Sequence, residues 1–341
     1  MMSSHPKALM ALAATAAAAL LPVVLGSPYY IQIMTQLLIF TVLFIGLDVA
    51  VGHAGLVSMA HGALFGVGAY TTGVLTVTHG WTFWATVPMA IALAAVVGLM
   101  VGLLTLRLGG HYFVIATLGL GLVGTIVIKN WKSVTNGDLG ISPIPLPESP
   151  GGTWFTSMEG FYYLVLAVTV LVSVFVAWMM RSGTGQRLRA IRDNQALAAA
   201  IGVDVVRARL VAFVVSAGIA GLAGSFQASS LSYINPEVGG QVIAFTALMA
   251  IIVGGRASVA GPFIGAAIFV ILPEVLRAAD EYRMVIMGVA LIIVVIFAPD
   301  GIAGRLNALG AYVKRKRLDE PSTPDTAPSA RVTETREVAR T

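Results

Sequence analysis

The stretch RAIRDNQALAAAIGVDVVRARLVAF, residues 189–213, carries four arginines within 21 residues. Little else in the chain looks like it. Hydrophobic residues make up 57% of the 341-residue sequence and charged residues only 11%, where an ordinary soluble domain has about 25% charged. The length would admit two soluble domains, yet the apolar runs around this stretch are too many and too long for soluble cores. The chain therefore reads as a polytopic membrane protein. Its cationic island is then a loop at one membrane face, and the sign of its charge orients every span on either side.

Lipid offers the backbone no hydrogen-bonding partner, so each crossing must be a helix or part of a closed barrel. The runs are continuous and lack strand-like alternation, which selects helices. A crossing takes roughly 20 mostly apolar residues. Candidates lie near 8–25, 29–51, 54–78, 83–106, 111–129, 160–180, 210–230, 239–254, 257–277 and 284–298. The eighth and tenth are short enough to be partial or re-entrant. The expected fold class is an all-α polytopic membrane protein of about eight to ten transmembrane helices, with Gly-rich broken or re-entrant segments.

Cytoplasmic loops collect Lys and Arg near span ends. Six arginines between Arg181 and Arg209 face only Asp193 and Asp204, which predicts a cytoplasmic loop at 181–209. The cluster Arg305, Lys314, Arg315, Lys316, Arg317 makes the same claim for the C-terminal side. Four spans separate the two, so both can lie inside. Counting back places Arg107 inside and the loop 131–159, with Asp138, Glu148 and Glu159 against Lys132, outside. Residues 1–28 read as a first span or a signal-like segment. Residues 305–341 read as a basic, disordered cytoplasmic tail, because EPSTPDTAPSARVTETREVART at 320–341 holds almost no large apolar side chains. The basic cluster before it suits anionic lipid headgroups, and nothing in the pattern calls for nucleic acid.

Catalytic chemistry finds little support. The chain has no cysteine and five scattered histidines. His53 and His61 would stand about 12 Å apart along one continuous helix, too far to share a metal. There is no H-E-x-x-H, no nucleophile turn of the G-x-S-x-G kind, and no G-x-x-x-x-G-K-[ST] loop with which to hydrolyse ATP. No catalytic residue, metal site or cofactor is therefore expected.

Asp48 is the one ionisable group deep in a span, within IGLDVAVGHAGLVSMAHG at 45–62. Charge there is costly and is kept for a reason. It reads either as a partner for a nearby donor such as His53 near the cytoplasmic end, or as part of a solute path. Small residues crowd the same segment. Gly62-x-x-x-Gly66 and Gly98-x-x-x-Gly102 are explained by close helix packing, whereas Gly52 and Gly55 interrupt the helix. A second interruption, VGGRASVAGPFIGAA at 253–267, lies in the other half of the chain. Paired interruptions of this kind mark translocation pathways. The candidate path residues are Asp48, Gly52, His53, Gly55, Ser58, His61, Gly255 and Ser258.

The opening stretch itself parses into short helices. Thr184 is a candidate cap, and Leu188 and Ile191 share one face of QRLRAIR. Asp193 or Asn194 caps QALAAAI, Gly202 stops it, and Asp204 caps the helix that continues through Arg207 and Arg209. A plain connection does not need capped helices, and an alanine-rich knob suits a groove on another protein. Outside, NWKSVTNGDLGISPIP at 130–145 is turn-rich, and Trp131 and Trp154 sit at plausible headgroup depth.

Three blocks in order give the chain a resemblance to the permease subunits of branched-chain amino acid ABC importers, of LivM type. GHAGLVSMAHGALFGVGAY at 52–70 is similar to that family's run from Gly and Ala-Gly through Gln-Leu-Ser and Gly-His to Gly-x-Gly-Ala-Tyr. NWKSVTNGDLGISPIP resembles its external segment. RSGTGQRLRAIRDNQALAAAIGVD at 181–204, followed by LVAFVVSAGIAGLAGSFQA and VGGRASVAGPFIGAAI, resembles its cytoplasmic loop and the spans after it. The likeness covers about residues 35–305.

The resemblance implies a transmembrane permease domain at 29–304 that forms half of a path for branched-chain or related amino acids. It implies a second, LivH-type permease, two ATPase subunits that use the ATP, and a periplasmic binding protein, all at a bacterial inner membrane. The coupling role falls on Arg189, Arg192, Asp193, Asn194, Ala198, Ala199 and Gly202. Bulk or charge at Ala198 or Ala199 is then expected to uncouple ATP hydrolysis from transport with assembly mostly intact. Asp48, His53 and Leu56 depart from the family's common Asn, Tyr and Gln, which leaves urea, amides or aromatic acids open as solutes. From another class, a stand-alone carrier or channel would need no ATPase.

Overall fold

The computed structural model describes residues 26–148, 154–277 and 301–305, with 15, 18–22 and scattered positions between 282 and 296. Most of the spans expected at 8–25 and 284–298, and the tail beyond Arg305, lie outside the described residues. The described chain is helical, with one antiparallel bridge between Ile141 and Ile234. Its α-helices of six residues or more are α1 (Pro28–Asp48), α2 (His61–Val77), α3 (Phe83–Thr105), α4 (His111–Asn130), α5 (Met158–Arg181), α6 (Gly183–Asp193), α7 (Gln195–Ala200), α8 (Val205–Leu231), α9 (Gln241–Gly254) and α10 (Gly261–Val275). The chain is thus an all-α polytopic membrane protein. Among the described residues, five helices are long and apolar enough to cross a bilayer: α1 with its π turn to His53, α3, α4, α5 and α8.

Three expected spans are shorter than their apolar runs. The run 54–78 becomes helical only at His61, and α9 and α10 have 14 and 15 residues. Fourteen residues rise about 21 Å, short of the roughly 30 Å hydrocarbon core. The missing length is irregular chain. One break follows α1, whose last turn widens to a π turn at Val49–His53 before residues 54–60 lose helical form. Another follows α8, where Ser232 adopts φ +56 and the chain turns back through a 3-10 turn at Pro236–Gly239.

α8 is the hub, packing against α1, α2 and α3. Its small residues let backbones touch, the interface chemistry that replaces a hydrophobic drive in lipid. A Cβ on Gly224 would enter the Phe65 carbonyl, and one on Gly221 would lie 2.6 Å from the Ala90 carbonyl oxygen. The Gly98 and Gly102 pair of α3 meets Ala217 and Leu210 of α8, as helix packing predicts. Gly62 and Gly66 do something else. A Cβ on Gly62 would stand 2.6 Å from the Gly240 carbonyl oxygen, and one on Gly66 2.6 Å from Gly239 Cα. The pair makes room for the break after α8 and, at Ala244, for the first turn of α9.

α1 also packs on α5, α9 and α10. At its first turn Tyr29 Oη donates to the Glu274 carboxylate of α10, and Arg277 Nη1 reaches Tyr29 Oη at 3.1 Å. Beyond α4, Asn136 and Gly137 take φ of +61° and +59°, confirming the turn read from Asn-Gly-Asp. That loop docks on the break after α8, with Ile141 N–H donating to Ile234 O at 2.9 Å and Ile144 N–H to Ser232 O at 2.9 Å.

Candidate functional site

The π turn explains the chemistry at the end of α1. Widening a helix shifts its hydrogen bonds and leaves terminal carbonyls without intrahelical donors. Ala54 N–H reaches Val49 O at 3.1 Å and Leu56 N–H reaches Ala50 O at 2.8 Å. Gly52 O accepts instead from Arg192 Nη1 of α6, at 3.1 Å. A cation at a helix C-terminus also opposes the partial negative charge there.

Asp48 is buried one turn earlier, with 4% of its surface exposed. Its Oδ1 accepts from the Ala257 backbone N–H at 2.9 Å, and its Oδ2 stands 3.5 Å from His53 Nδ1. Gly52 lies against this pair, where a Cβ would run into the Asp48 carboxylate and stand 2.5 Å from Ala257 N. The two interrupted segments read from the sequence therefore meet. Gly255 closes α9 at φ +114°, Ala257 follows at φ +53°, and Ser258 is half-buried beside it. Gly55 is exposed at φ +69°.

Ser58 and His61 are fully buried, away from Asp48. Their hydrogen bonds have one consistent direction. Ala60 N–H donates to Ser58 Oγ at 3.2 Å, which pairs with His61 Nδ1 at 3.1 Å. Ser216 Oγ of α8 donates to Gly46 O at 2.6 Å, so its oxygen is left to accept from His61 Nε2, 2.5 Å away. A neutral imidazole with its proton on Nε2 satisfies the whole chain, which clamps α1, α2 and α8 together. His53 and His61 do not share a helix, since the break lies between them. Among the described residues no group of histidine and carboxylate side chains is arranged to hold a metal.

Both breaks rest on one stripe of α4. Thr117 Oγ1 accepts from Met59 N–H at 3.2 Å, a Cβ on Gly121 would stand 3.2 Å from both Met59 O and Gln241 Nε2, and Thr125 Oγ1 donates to Gly239 O at 3.1 Å. The spacing of four residues puts all three on one face.

The arginine-rich end carries the short helices expected there. Asn194 Oδ1 accepts from Leu197 N–H at 3.0 Å and Asp204 Oδ1 from Arg207 N–H at 2.9 Å, so both are N-caps. Gly202 follows α7 at φ +86°. Thr184 is not the cap of α6. Ser182 holds that place, and its hydroxyl donates to Met179 O at 2.6 Å, because α6 folds directly off α5 with Gly185 pressed on the Met180 backbone. Arg189 Nη2 also donates to Met180 O. Asp193 is exposed, 3.7 Å from Arg192 Nε. Leu188 and Ile191 are buried as their shared face predicts.

The sequence matches, over residues 29–295, the family described as the permease component of branched-chain amino acid transport systems. The chain belongs to that family. The permease is 32% identical over 294 residues to the high-affinity branched-chain amino acid transport system permease protein LivM of Salmonella typhimurium, covering 80% of this chain and 69% of that one. It is 25% identical over 288 residues to LivH of Escherichia coli, covering 78% and 91%. It is 24% identical over 286 residues to the fructose import permease protein FruF of Bifidobacterium longum, covering 80% and 76%. No solved structure matches.

Two features of the permease escaped the sequence. Ala198 is buried at 2% exposure, so bulk there would disturb the fold, and only Ala199 is free to carry it. Leu197 and Ile201, 62% and 71% exposed, form the apolar knob of α7. Their spacing of four residues, on the side away from Ala198, was the available signal.

Proposed function

We propose that this permease is the LivM-like half of an ATP-driven importer for branched-chain or closely related amino acids. The observation that carries the reading is the α6–α7 pair. It is capped, presents Leu197 and Ile201 outward, and is hydrogen-bonded through Arg192 to the break after α1. A loop with only topological duties needs neither the caps nor the tie. In this reading α7 docks in a groove on an ATPase subunit at the cytoplasmic face of a bacterial inner membrane. Two such subunits use the ATP, so this chain needs no cofactor. A LivH-type permease completes the path, and an external binding protein delivers the solute. The seven residues from Arg189 to Gly202 named above form the coupling element. Of the path residues, Asp48, Gly52, His53 and Gly55 lie at the break after α1 and Gly255 and Ser258 at the α9–α10 connection, whereas Ser58 and His61 belong to the buried clamp.

The fructose permease among the relatives favours a second reading, the same machine with another solute. Asp48, His53 and Leu56, all at the break after α1, are where such a difference would lie. Purification in mild detergent from native membranes, followed by reconstitution, tests both. Co-purification of two nucleotide-binding subunits and a second permease, with ATP-driven leucine uptake competed by isoleucine and valine, supports the first reading. Uptake competed by urea, amides or aromatic acids instead selects the second. A chain that purifies and transports alone returns the function to a carrier.

A further inference from the structure

Three elements converge on Gly52. α6 reaches it through Arg192 Nη1, which donates to its carbonyl at 3.1 Å. The end of α1 reaches it through Asp48, whose carboxylate lies where a Gly52 side chain would go. The connection between α9 and α10 reaches it through Ala257, whose N–H donates to Asp48 Oδ1 at 2.9 Å and would stand 2.5 Å from a Gly52 Cβ. Apart from Arg189, whose Nη2 donates to Met180 O of α5, the other contacts of α6 are of a different kind. Leu188 and Ile191 are buried apolar side chains, and apolar contacts have no preferred direction. A hydrogen bond has a short range and a required angle, so the Arg192–Gly52 and Asp48–Ala257 bonds are the directional links between α6 and the α9–α10 connection.

We propose that Arg192 and Asp48 are positioning residues that carry movement of the α6–α7 pair to the α9–α10 connection, and together latch the inner end of the path. The proposal rests on the importer reading given above. When α6 is displaced, Arg192 takes the Gly52 carbonyl with it. Gly52 has no free space on its Asp48 side, so its motion is passed to the carboxylate, and the Asp48–Ala257 bond opens. A bond made in only one of two states biases the equilibrium between them by its own strength in that state. The latch therefore holds the inner end shut until the ATPase subunits move α6. Its two parts have different chemical needs. Arg192 must donate over a long reach to a carbonyl, whereas position 48 needs only an acceptor oxygen of the right length, which an asparagine also provides.

The chain contains no cysteine, so a single Ser258→Cys, beside Ala257, is its one thiol, and maleimide carried by this chain reports on the junction. The measurement is its labelling rate by a membrane-impermeant maleimide in inside-out vesicles holding the assembled complex. Solute moved per ATP hydrolysed is followed in parallel. Asp48→Ala and Arg192→Ala are each expected to speed labelling about ten-fold, the shift from losing one hydrogen bond from one state, and to lower the solute-to-ATP ratio. Asp48→Asn, still able to accept from Ala257, is expected to label close to the Ser258→Cys parent. Labelling at the parent rate in both alanine variants overturns the latch, as does Asp48→Asn labelling as fast as Asp48→Ala. Should Asp48→Ala fail to accumulate, Arg192→Ala on exposed α6 decides by the same criterion. Labelling needs no transport, so a wild-type complex without ATP-driven uptake defeats the importer reading while the latch is still tested.

Discussion

Where α8 crosses α2 and α3, backbone lies on backbone, with Gly224 on the Phe65 carbonyl and Gly221 on the Ala90 carbonyl. Where α1 meets α6 and the α9–α10 connection, the elements are instead joined by side chains, Arg192 to Gly52 and Asp48 to Ala257. Close backbone packing has no second arrangement nearby, since any shift either collides or opens a gap. A long side chain on a carbonyl can let go and be replaced by water. The permease thus pairs a fixed waist with a releasable end, and substitutions should sort accordingly.

The largest effect is expected at the waist. Gly224→Leu would force a branched side chain into the Phe65 carbonyl and toward Ala69 N, which a Cβ alone would approach to 2.9 Å. Overpacking a tight core costs about 1–3 kcal/mol and more when only backbone can yield. The variant should fail to reach the membrane or lose its cooperative thermal transition in detergent. A variant as stable as wild type would mean that α8 can slide on α2, and the contrast with the other end would collapse.

The clamp at Ser58, His61 and Ser216 comes next. Ser216→Ala removes the acceptor of His61 Nε2 and the donor to Gly46 O together. Interhelical hydrogen bonds in membranes contribute about 1–2 kcal/mol at most, so the thermal midpoint should drop measurably while the variant still folds. Uptake by the remaining folded complex should stay near wild type, because both groups are enclosed by the fold. Lost uptake at normal stability would instead place this clamp with the moving parts.

How much of this contrast the sequence shows depends on how far apart the partners are along the chain. Long apolar runs disclosed α1, α3, α4, α5 and α8, and local chemistry disclosed the caps at Asn194 and Asp204, whose acceptors lie three residues from their donors. The charge pattern of the opening stretch drew attention to α6 and α7. The break after α8 does not show its destination, because nothing in SYINPEVGG at 232–240 says that it turns back toward Gly62 and Gly66. Arg192 and Gly52 are 140 residues apart, and Asp48 and Ala257 209. Each residue could be singled out for its type, but its partner exists only in the folded chain.

Two neighbours on α7 sharpen the comparison at lower cost. Ala198→Trp pushes an indole into a buried position and should destabilise the arginine-rich end by about 1–3 kcal/mol. Ala199→Trp points outward and should leave the stability within about 0.5 kcal/mol of wild type, as surface substitutions do. Its effect should appear as ATP hydrolysed without uptake. Equal stability loss in both variants would mean that the two faces of α7 are not distinct.

The smallest effect is expected at the far end, where Lys129 Nζ stands 3.1 Å from Asp138 Oδ1 with both side chains more than half exposed. Exposed ion pairs contribute about 0–1 kcal/mol because water screens them and ordering two side chains opposes the attraction. The loop's shape has other supports: the left-handed Asn136 and Gly137, and the paired backbones of Ile141 and Ile234. Lys129→Gln should therefore leave the thermal midpoint unchanged, and raising salt should have no more effect on wild type than on the variant. Gly140→Val makes the informative partner, since its Cβ would enter the Ile234 carbonyl at a φ of +70° that valine does not adopt. If Lys129→Gln destabilised the protein as much as Gly140→Val, charge rather than backbone pairing would hold this loop, and the releasable kind of contact would occur at both ends of the permease.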